Sequence, residues 1–115
     1  MPALAEKFGE LARKSDLNFA ALTRASGIMY AAFAPQSENA TASASIKQAV
    51  AEVFRICANA ETNSSLMLEW APTELKRATG DIWGSNRQDF TLMKRVKNVF
   101  DPQNVLSPAR FAGGI

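Results

Sequence analysis

The stretch RQDFTLMKRVKNVFDP, residues 87–102, decides the fold of the C-terminal third of this chain. Its apolar residues recur at helical spacing, which predicts a helix from Arg87 to Phe100 with one broad face buried. That face consists of Phe90, Met93, Val96 and Phe100, widened by Leu92 and Val99. Basic residues crowd its C-terminal half, where positive charge suits the negative end of the helix dipole. Pro102 ends the helix, because proline has no amide donor.

The segment after this helix, LSPARF at residues 106–111, is predicted to be extended. Pro108 pushes the residue before it out of the helical region, so no second helix can follow directly. The helix is preceded by Ile82-Trp83-Gly84, and the chain closes on RFAGGI, residues 110–115.

An aromatic and basic helix that ends in Phe-Asp-Pro and is followed by Leu-x-Pro-x-Arg-Phe resembles the C-terminus of FAD-linked oxidases. The superfamily is that of vanillyl-alcohol oxidase and D-lactate dehydrogenase. The IWG lead-in, the FTLMKRVK run and the RFAGGI ending look most like the FAD-binding subunit of bacterial glycolate oxidase. The commoner form of the tail motif is Leu-Asn-Pro-Gly-Arg, from which Ser107 and Ala109 depart. The Ala109 methyl group restricts the conformations that glycine would allow.

The resemblance implies a parent protein that uses FAD to oxidise a 2-hydroxy acid such as glycolate to the 2-oxo acid. Residues 1–115 would be its C-terminal cap or substrate domain, with the FAD-binding domain of the same chain and other glycolate oxidase subunits as partners. In such families the C-terminal tail returns to the flavin domain, so Pro108 and Arg110 are candidate cofactor contacts. Arg110 can equally be a solvated tail residue.

Nothing in this chain has the form of a pyrophosphate cradle, in which glycine-rich backbone amides follow a strand. We therefore expect the isolated chain to hold no FAD and to be inactive. The histidines that pair with the flavin in active relatives have no counterpart here, so the resemblance assigns no catalytic residue.

Three strand residues are candidate substrate contacts: Arg24, Tyr30 and Glu69. A guanidinium suits bidentate binding of the carboxylate of a small 2-hydroxy acid. Each of these residues also has an interpretation in which its role is only structural. Arg24 would lie at a hairpin end, Tyr30 would pack under a helix, and Glu69 would lie on an open sheet face.

Composition excludes several classes of site. The 115 residues contain no histidine and one cysteine, which removes most zinc and iron sites and every histidine-dependent triad. Scattered carboxylates predict no metal site, and Cys57 is interpreted as a small core residue. A net charge of +2 without a basic stripe argues against nucleic acid as a partner. With no apolar run of membrane-spanning length, we expect a cytoplasmic protein.

The rest of the chain predicts alternating helices and strands. The predicted elements are a helix over Ala3–Lys14, strands over Leu17–Arg24 and Ile28–Ala34, a helix with an Ile46, Ala49, Val50, Val53, Phe54 and Cys57 stripe, a strand over Ser65–Trp70, and a short helix to Thr79. Gly27 turns the hairpin, and Gly80 ends the short helix. Gln36–Ala44 is predicted to be a polar connection, with Ser43 or Ser45 capping the next helix. Trp70 and Trp83 are interpreted as core anchors.

This order predicts one α+β domain, residues 1–115: an incomplete ferredoxin-like antiparallel sheet, its first strand missing, packed with helices and followed by C-terminal helices. The missing strand would lie centrally, so its neighbours would have unpaired backbone groups. Either residues before Met1 supply it, or the strands pair differently, and we expect a homo-oligomer of the isolated chain. The alternative is a free-standing ferredoxin-like module that binds a ligand or dimerises.

Overall fold

The computed structural model of the chain describes residues 2–59, 64–84 and 88–115. In chain order its elements are α1 (Pro2–Lys14), β1 (Leu17–Thr23), β2 (Met29–Pro35), α2 (Ala40–Ala58), α3 (Thr73–Thr79), α4 (Phe90–Phe100) and a 3-10 turn (Ala112–Gly114). The chain divides into two compact units, Met1–Ile56 and Cys57–Ile115. The α+β class is confirmed. Within the described residues no helix is long and apolar enough to cross a membrane.

The first unit contains the predicted β-hairpin. β1 and β2 pair antiparallel in a register that places Leu17 opposite Pro35 and Thr23 opposite Met29. Gly27 has a φ of 85°, a left-handed conformation that glycine adopts without a steric cost, so the predicted turn is confirmed.

The core of this unit lies between α1, α2 and one face of the hairpin. Its buried centre is Ala12, Leu17 and Ala49, with Leu11, Phe19, Phe33 and Ile46 packed around it. Phe8 is 2% exposed, and its ring lies 6.2 Å from that of Phe33. Small residues at Ala12 and Ala49 let these elements approach closely, while the phenylalanines fill the space between them.

The apolar stripe of α2 is confirmed, because Ala49, Val50, Val53 and Cys57 are buried. Burial raises the pKa of the Cys57 thiol, with a hydrogen bond to Ser64 opposing the shift, which fits a core cysteine. The predicted start of this helix is wrong. α2 begins at Ala40, and the Ala42 amide donates to Asn39 Oδ1 at 3.0 Å, so Asn39 takes the capping position instead of Ser43 or Ser45.

The strand predicted over Ser65–Trp70 is not formed. The segment is irregular, although the predicted alternation is present: Leu66 and Leu68 are half-buried, and Met67 and Glu69 are exposed. The Leu68 amide donates to the Ile82 carbonyl at 2.8 Å, a contact too isolated to make a ladder. The described residues therefore contain a sheet of two strands, so the third strand of the ferredoxin-like prediction is wrong.

Trp70 is also not a core anchor, since it is 83% exposed. The short helix that follows is confirmed as α3. Gly80 ends it with a φ of 78°, and the Gly80 amide donates to the Lys76 carbonyl at 3.1 Å.

Replacing Phe8 by alanine tests the core of the first unit. Loss of a buried aromatic ring should lower the free energy of unfolding by about 3 to 5 kcal/mol. Phe100→Ala is the matched control, because Phe100 is 79% exposed and its loss should change stability by less than about 0.5 kcal/mol. Urea denaturation followed by circular dichroism measures both. Equal losses for the two variants would contradict the assigned core.

Candidate functional site

The site candidate is α4 with the tail that follows it. α4 begins at Phe90, and the predicted start, Arg87, lies outside the described residues. The expectation that its broad apolar face is buried is wrong. Phe90 and Met93 are half-buried, but Val99 is 75% exposed. The other exposed apolar residues of the helix are Leu92, Val96 and Phe100. Periodicity identified the apolar face correctly, yet nothing in the described chain covers most of it.

A buried carboxylate joins α4 to the tail. Asp101, 5% exposed, follows the last helical residue. Its Oδ1 accepts a hydrogen bond from the Val105 amide at 2.9 Å, and its Oδ2 accepts one from the Leu106 amide at 2.9 Å. Lys97 forms an ion pair with Asp101 and also donates to the Leu106 carbonyl at 2.7 Å. We call this arrangement of Lys97, Asp101, Val105 and Leu106 the Asp101 clamp.

The clamp shifts the titration of Asp101. The hydrogen bond from Lys97 is the largest cause, and the amides of Val105 and Leu106 add to it, while burial opposes them. Together they lower the pKa of Asp101 from 3.8 to about 2. The carboxylate is thus charged throughout the physiological range, and the sequence analysis had given it no role. An aspartate between a helix end and a proline was the available signal.

Within the clamp and just beyond it, the backbone turns through left-handed conformations that are rare for residues other than glycine. Asn104, Ser107 and Ala109 have φ values of 53°, 46° and 59°. Asparagine tolerates this region, but a β-carbon costs roughly 1 to 2 kcal/mol there. Both departures from the commoner motif, Ser107 and Ala109, therefore fall on strained positions, where Asn and Gly would adopt the left-handed conformation at a lower energetic cost. Pro108 lies between these two residues, and Arg110 follows Ala109. Both of these cofactor candidates are exposed.

The end of the tail packs on residues of the same unit. The rings of Trp83 and Phe111 lie 4.9 Å apart at 56°, an arrangement that aromatic pairs favour. Trp83 is half-buried, in keeping with its interpretation as an anchor. Gly113 lies against the Phe90 ring so closely that a β-carbon there would collide with it. The tail thus returns alongside α4.

Between α4 and the tail lies an apolar groove of about 400 Å³. Its lining residues are Asp89, Leu92, Met93, Val96, Lys97, Phe111 and Ile115. Its walls are hydrocarbon and aromatic, with one carboxylate and one ammonium at the edges. Such a groove suits an apolar group and has little to offer a polar one.

Residues 84–111 match the family model described as FAD linked oxidases, C-terminal domain. This segment is similar to an FAD-linked oxidase C-terminal domain. The match covers α4, the Asp101 clamp and the tail as far as Phe111, and the proteins of that family are FAD-linked oxidases. No curated protein and no solved structure matches the chain significantly.

The described residues of this segment do not fit a flavin dinucleotide on their own. Gly113 and Gly114 have positive φ, but Gly113 faces a phenylalanine ring instead of an open anion site. The groove is mainly apolar, and its two charged residues, Asp89 and Lys97, are of opposite sign, so it has no cluster of donors for a pyrophosphate. Any FAD contact from this chain would come from its exposed tail, so we assign the chain no chemical step through the flavin.

The predicted substrate residues are brought together only in part. The Arg24 guanidinium lies 5.5 Å from the centre of the Tyr30 ring, a cation–π contact at the tip of the hairpin. Tyr30 is 44% exposed and so does not pack under a helix as the structural reading required. Glu69 is exposed and belongs to the Cys57–Ile115 unit. Over the described ranges no three acidic, cysteine or histidine side chains gather to hold a metal ion.

The Asp101 clamp should weaken in acid over a defined range. Because the folded pKa is lowered, the clamp contributes its full stabilisation above about pH 3.8 and loses it as the pH falls through about 2. The carboxyl ¹³C resonance of Asp101 should titrate with a midpoint near 2. Lys97→Met should move the midpoint upward. Arg55→Met, which breaks the exposed Glu52–Arg55 pair, should leave it unchanged, and a midpoint near 3.8 in the unmodified chain would refute the clamp.

Ala109→Gly should stabilise the chain, because glycine adopts a φ of 59° without strain. We expect a gain of about 0.5 to 1 kcal/mol after the entropic cost of glycine is subtracted. The matched control is Ala78→Gly in α3, an exposed helical position where the same change should cost about 1 kcal/mol. Thermal unfolding measures both. A loss of stability at both positions would mean that Ala109 is unstrained.

Proposed function

We propose that this chain is the C-terminal cap or substrate-domain part of an FAD-dependent oxidoreductase whose parent protein oxidises a 2-hydroxy acid such as glycolate to the 2-oxo acid. The observation that carries the proposal is the family match over residues 84–111, which coincides with α4 and the clamped tail. The restriction to glycolate-oxidase-like enzymes rests on the IWG, FTLMKRVK and RFAGGI runs.

The exposed apolar face of α4 supports a covering partner. Large contiguous apolar surfaces are uncommon on monomers and mark interaction sites. The exposed residues of the helix continue into Val105 and Leu106, which are 68% and 64% exposed. In this proposal the FAD-binding domain of the same parent chain covers that face. Other glycolate oxidase subunits are further partners, and the assembly is cytoplasmic.

The chemistry of the residues indicates which part of the parent protein binds the cofactor and which contacts this chain adds. The FAD-binding domain holds the dinucleotide, and this chain contributes Arg110, presented next to Pro108 on the clamped tail. Its guanidinium suits a phosphate or carboxylate acceptor. Arg24, with Tyr30 beneath it, is the candidate for the carboxylate of the 2-hydroxy acid.

The native gene product, purified from its source, tests this function. It should carry FAD and reduce an artificial electron acceptor when glycolate or another 2-hydroxy acid is added. The 115-residue chain alone should show no stoichiometric flavin absorbance after incubation with FAD. Flavin retained by the isolated chain would overturn the division of labour, and a native product without flavin would overturn the function.

Arg110→Ala in that native product should weaken FAD binding about 10- to 100-fold, since loss of a charged hydrogen bond costs about 1.5 to 3 kcal/mol. Arg77→Ala is the matched control, because Arg77 is an exposed α3 residue outside the matched segment. Fluorescence titration of the apoprotein with FAD gives both affinities. Equal affinities for the two variants would remove Arg110 from the cofactor site.

The alternative of a free-standing dimerisation module is favoured by one feature, the open hairpin of the first unit. A native product of this length that forms stable dimers and binds no flavin would select it.

A further inference from the structure

The β1–β2 hairpin has two open edges. Over residues 2–59, 64–84 and 88–115 no further strand pairs with either one. Natural proteins usually protect such edges with charged side chains, proline or a bulge. β1, with the sequence LNFAALT, contains no charge and no proline. It is therefore an unprotected edge.

The hairpin geometry determines which backbone groups face that edge. The Arg24 amide donates to the Ile28 carbonyl at 2.8 Å, and the strand register continues to place these two residues opposite each other. In an antiparallel pair, hydrogen-bonded and non-hydrogen-bonded positions alternate. The odd-numbered residues of β1 therefore direct their amides and carbonyls outward. They are Leu17, Phe19, Ala21 and Thr23.

This outward row is self-complementary. If a second copy of β1 runs antiparallel with its Ala20 opposite Ala20, every outward-facing residue meets another one: Phe19 meets the second copy's Ala21, and Leu17 meets its Thr23. The residue numbers of each facing pair then add up to 40. An odd-numbered residue therefore always faces an odd-numbered residue, and the outward backbone groups of the two copies can hydrogen-bond along the whole strand. Ala21 and Thr23, which are exposed in one copy, gain the half-buried Phe19 and the buried Leu17 as neighbours.

The charges at the two ends of β1 fit the same register. Asp16 lies in the turn before β1, with a φ of 53°, and Arg24 follows the strand, so antiparallel pairing brings the acidic end of each β1 toward the basic end of the other. Opposite charges across a strand pair stabilise it, and like charges destabilise it. The edge of β2 lacks this complementarity, because its flanking residues Ile28 and Gln36 are uncharged and Pro35 has no amide to donate.

We propose that two copies of this chain pair antiparallel along β1, forming a four-stranded sheet across a twofold axis. The hairpin already packs on α1 and α2, and the pairing extends it from two strands to four. The pairing uses only the first unit. Because Arg24 is also the candidate substrate residue, Ala21→Pro, which leaves Arg24 unchanged, tests the pairing separately from the flavin-related function.

Proline substitutions on the two edges test the pairing. Ala21 and Ala31 are cross-strand partners, and both direct their amides away from the hairpin. Ala21→Pro therefore removes an intermolecular donor without removing a hydrogen bond within the hairpin, and Ala31→Pro makes the same change on the other edge. In sedimentation at micromolar concentration, the unmodified chain and Ala31→Pro should be dimers and Ala21→Pro a monomer. Circular dichroism shows that each variant is folded.

Charge reversal provides a second test that leaves the backbone intact. Arg24→Asp should weaken the dimer about tenfold, since it places two like-charged pairs at the strand ends. The double variant Asp16→Arg with Arg24→Asp should restore the affinity. A monomeric unmodified chain, a dimer broken by Ala31→Pro instead of Ala21→Pro, or a double variant no tighter than Arg24→Asp would each overturn the proposal.

Discussion

One buried carboxylate determines the conformation of the family-matched segment. Asp101 stands where α4 ends, accepts the Val105 and Leu106 amides, and pairs with Lys97. Pro102 prevents the helix from continuing, and the carboxylate supplies the partners that the freed backbone then needs. Two backbone hydrogen bonds also contribute to the turn, since the Asn104 amide donates to the Asp101 carbonyl at 3.0 Å and the Arg110 amide donates to the Ser107 carbonyl at 3.2 Å. The positions of Phe111 beside Trp83 and of the exposed Arg110 both follow from this turn.

The tail keeps its turned conformation although two of its residues have strained backbone torsions. Ser107 and Ala109 occupy left-handed conformations, and such residues persist only where their surroundings over-determine them. Here the clamp fixes one end of the segment, and the Trp83–Phe111 contact fixes the other. A chain with Asn and Gly at these positions would need less support. The two departures from the common motif thus lower the stability of the tail.

Sequence periodicity predicted the elements whose partners lie nearby in the chain. α1, the hairpin, the α2 stripe and α3 are local patterns of this kind. Over Ser65–Trp70 the same reasoning failed, because alternation of apolar residues is equally satisfied by an irregular segment with one half-buried side. For α4, periodicity located an apolar face but carries no information about what covers it. The sequence shows Asp101 between a helix end and Pro102, but it does not show which backbone amides the carboxylate accepts, so the clamp was missed.

The two uncovered surfaces differ in the interactions they offer. The α4 face is apolar and non-directional, so it can be covered by any surface of suitable shape. The β1 edge offers hydrogen bonds in a fixed register, and that row is complementary to itself. A twofold contact uses the same strand on both copies and leaves neither β1 edge open, so it closes after two chains. Since β2 has Pro35 and no flanking charge pair, further growth at the outer edges is disfavoured. Self-pairing at β1 and coverage of α4 therefore use different residues.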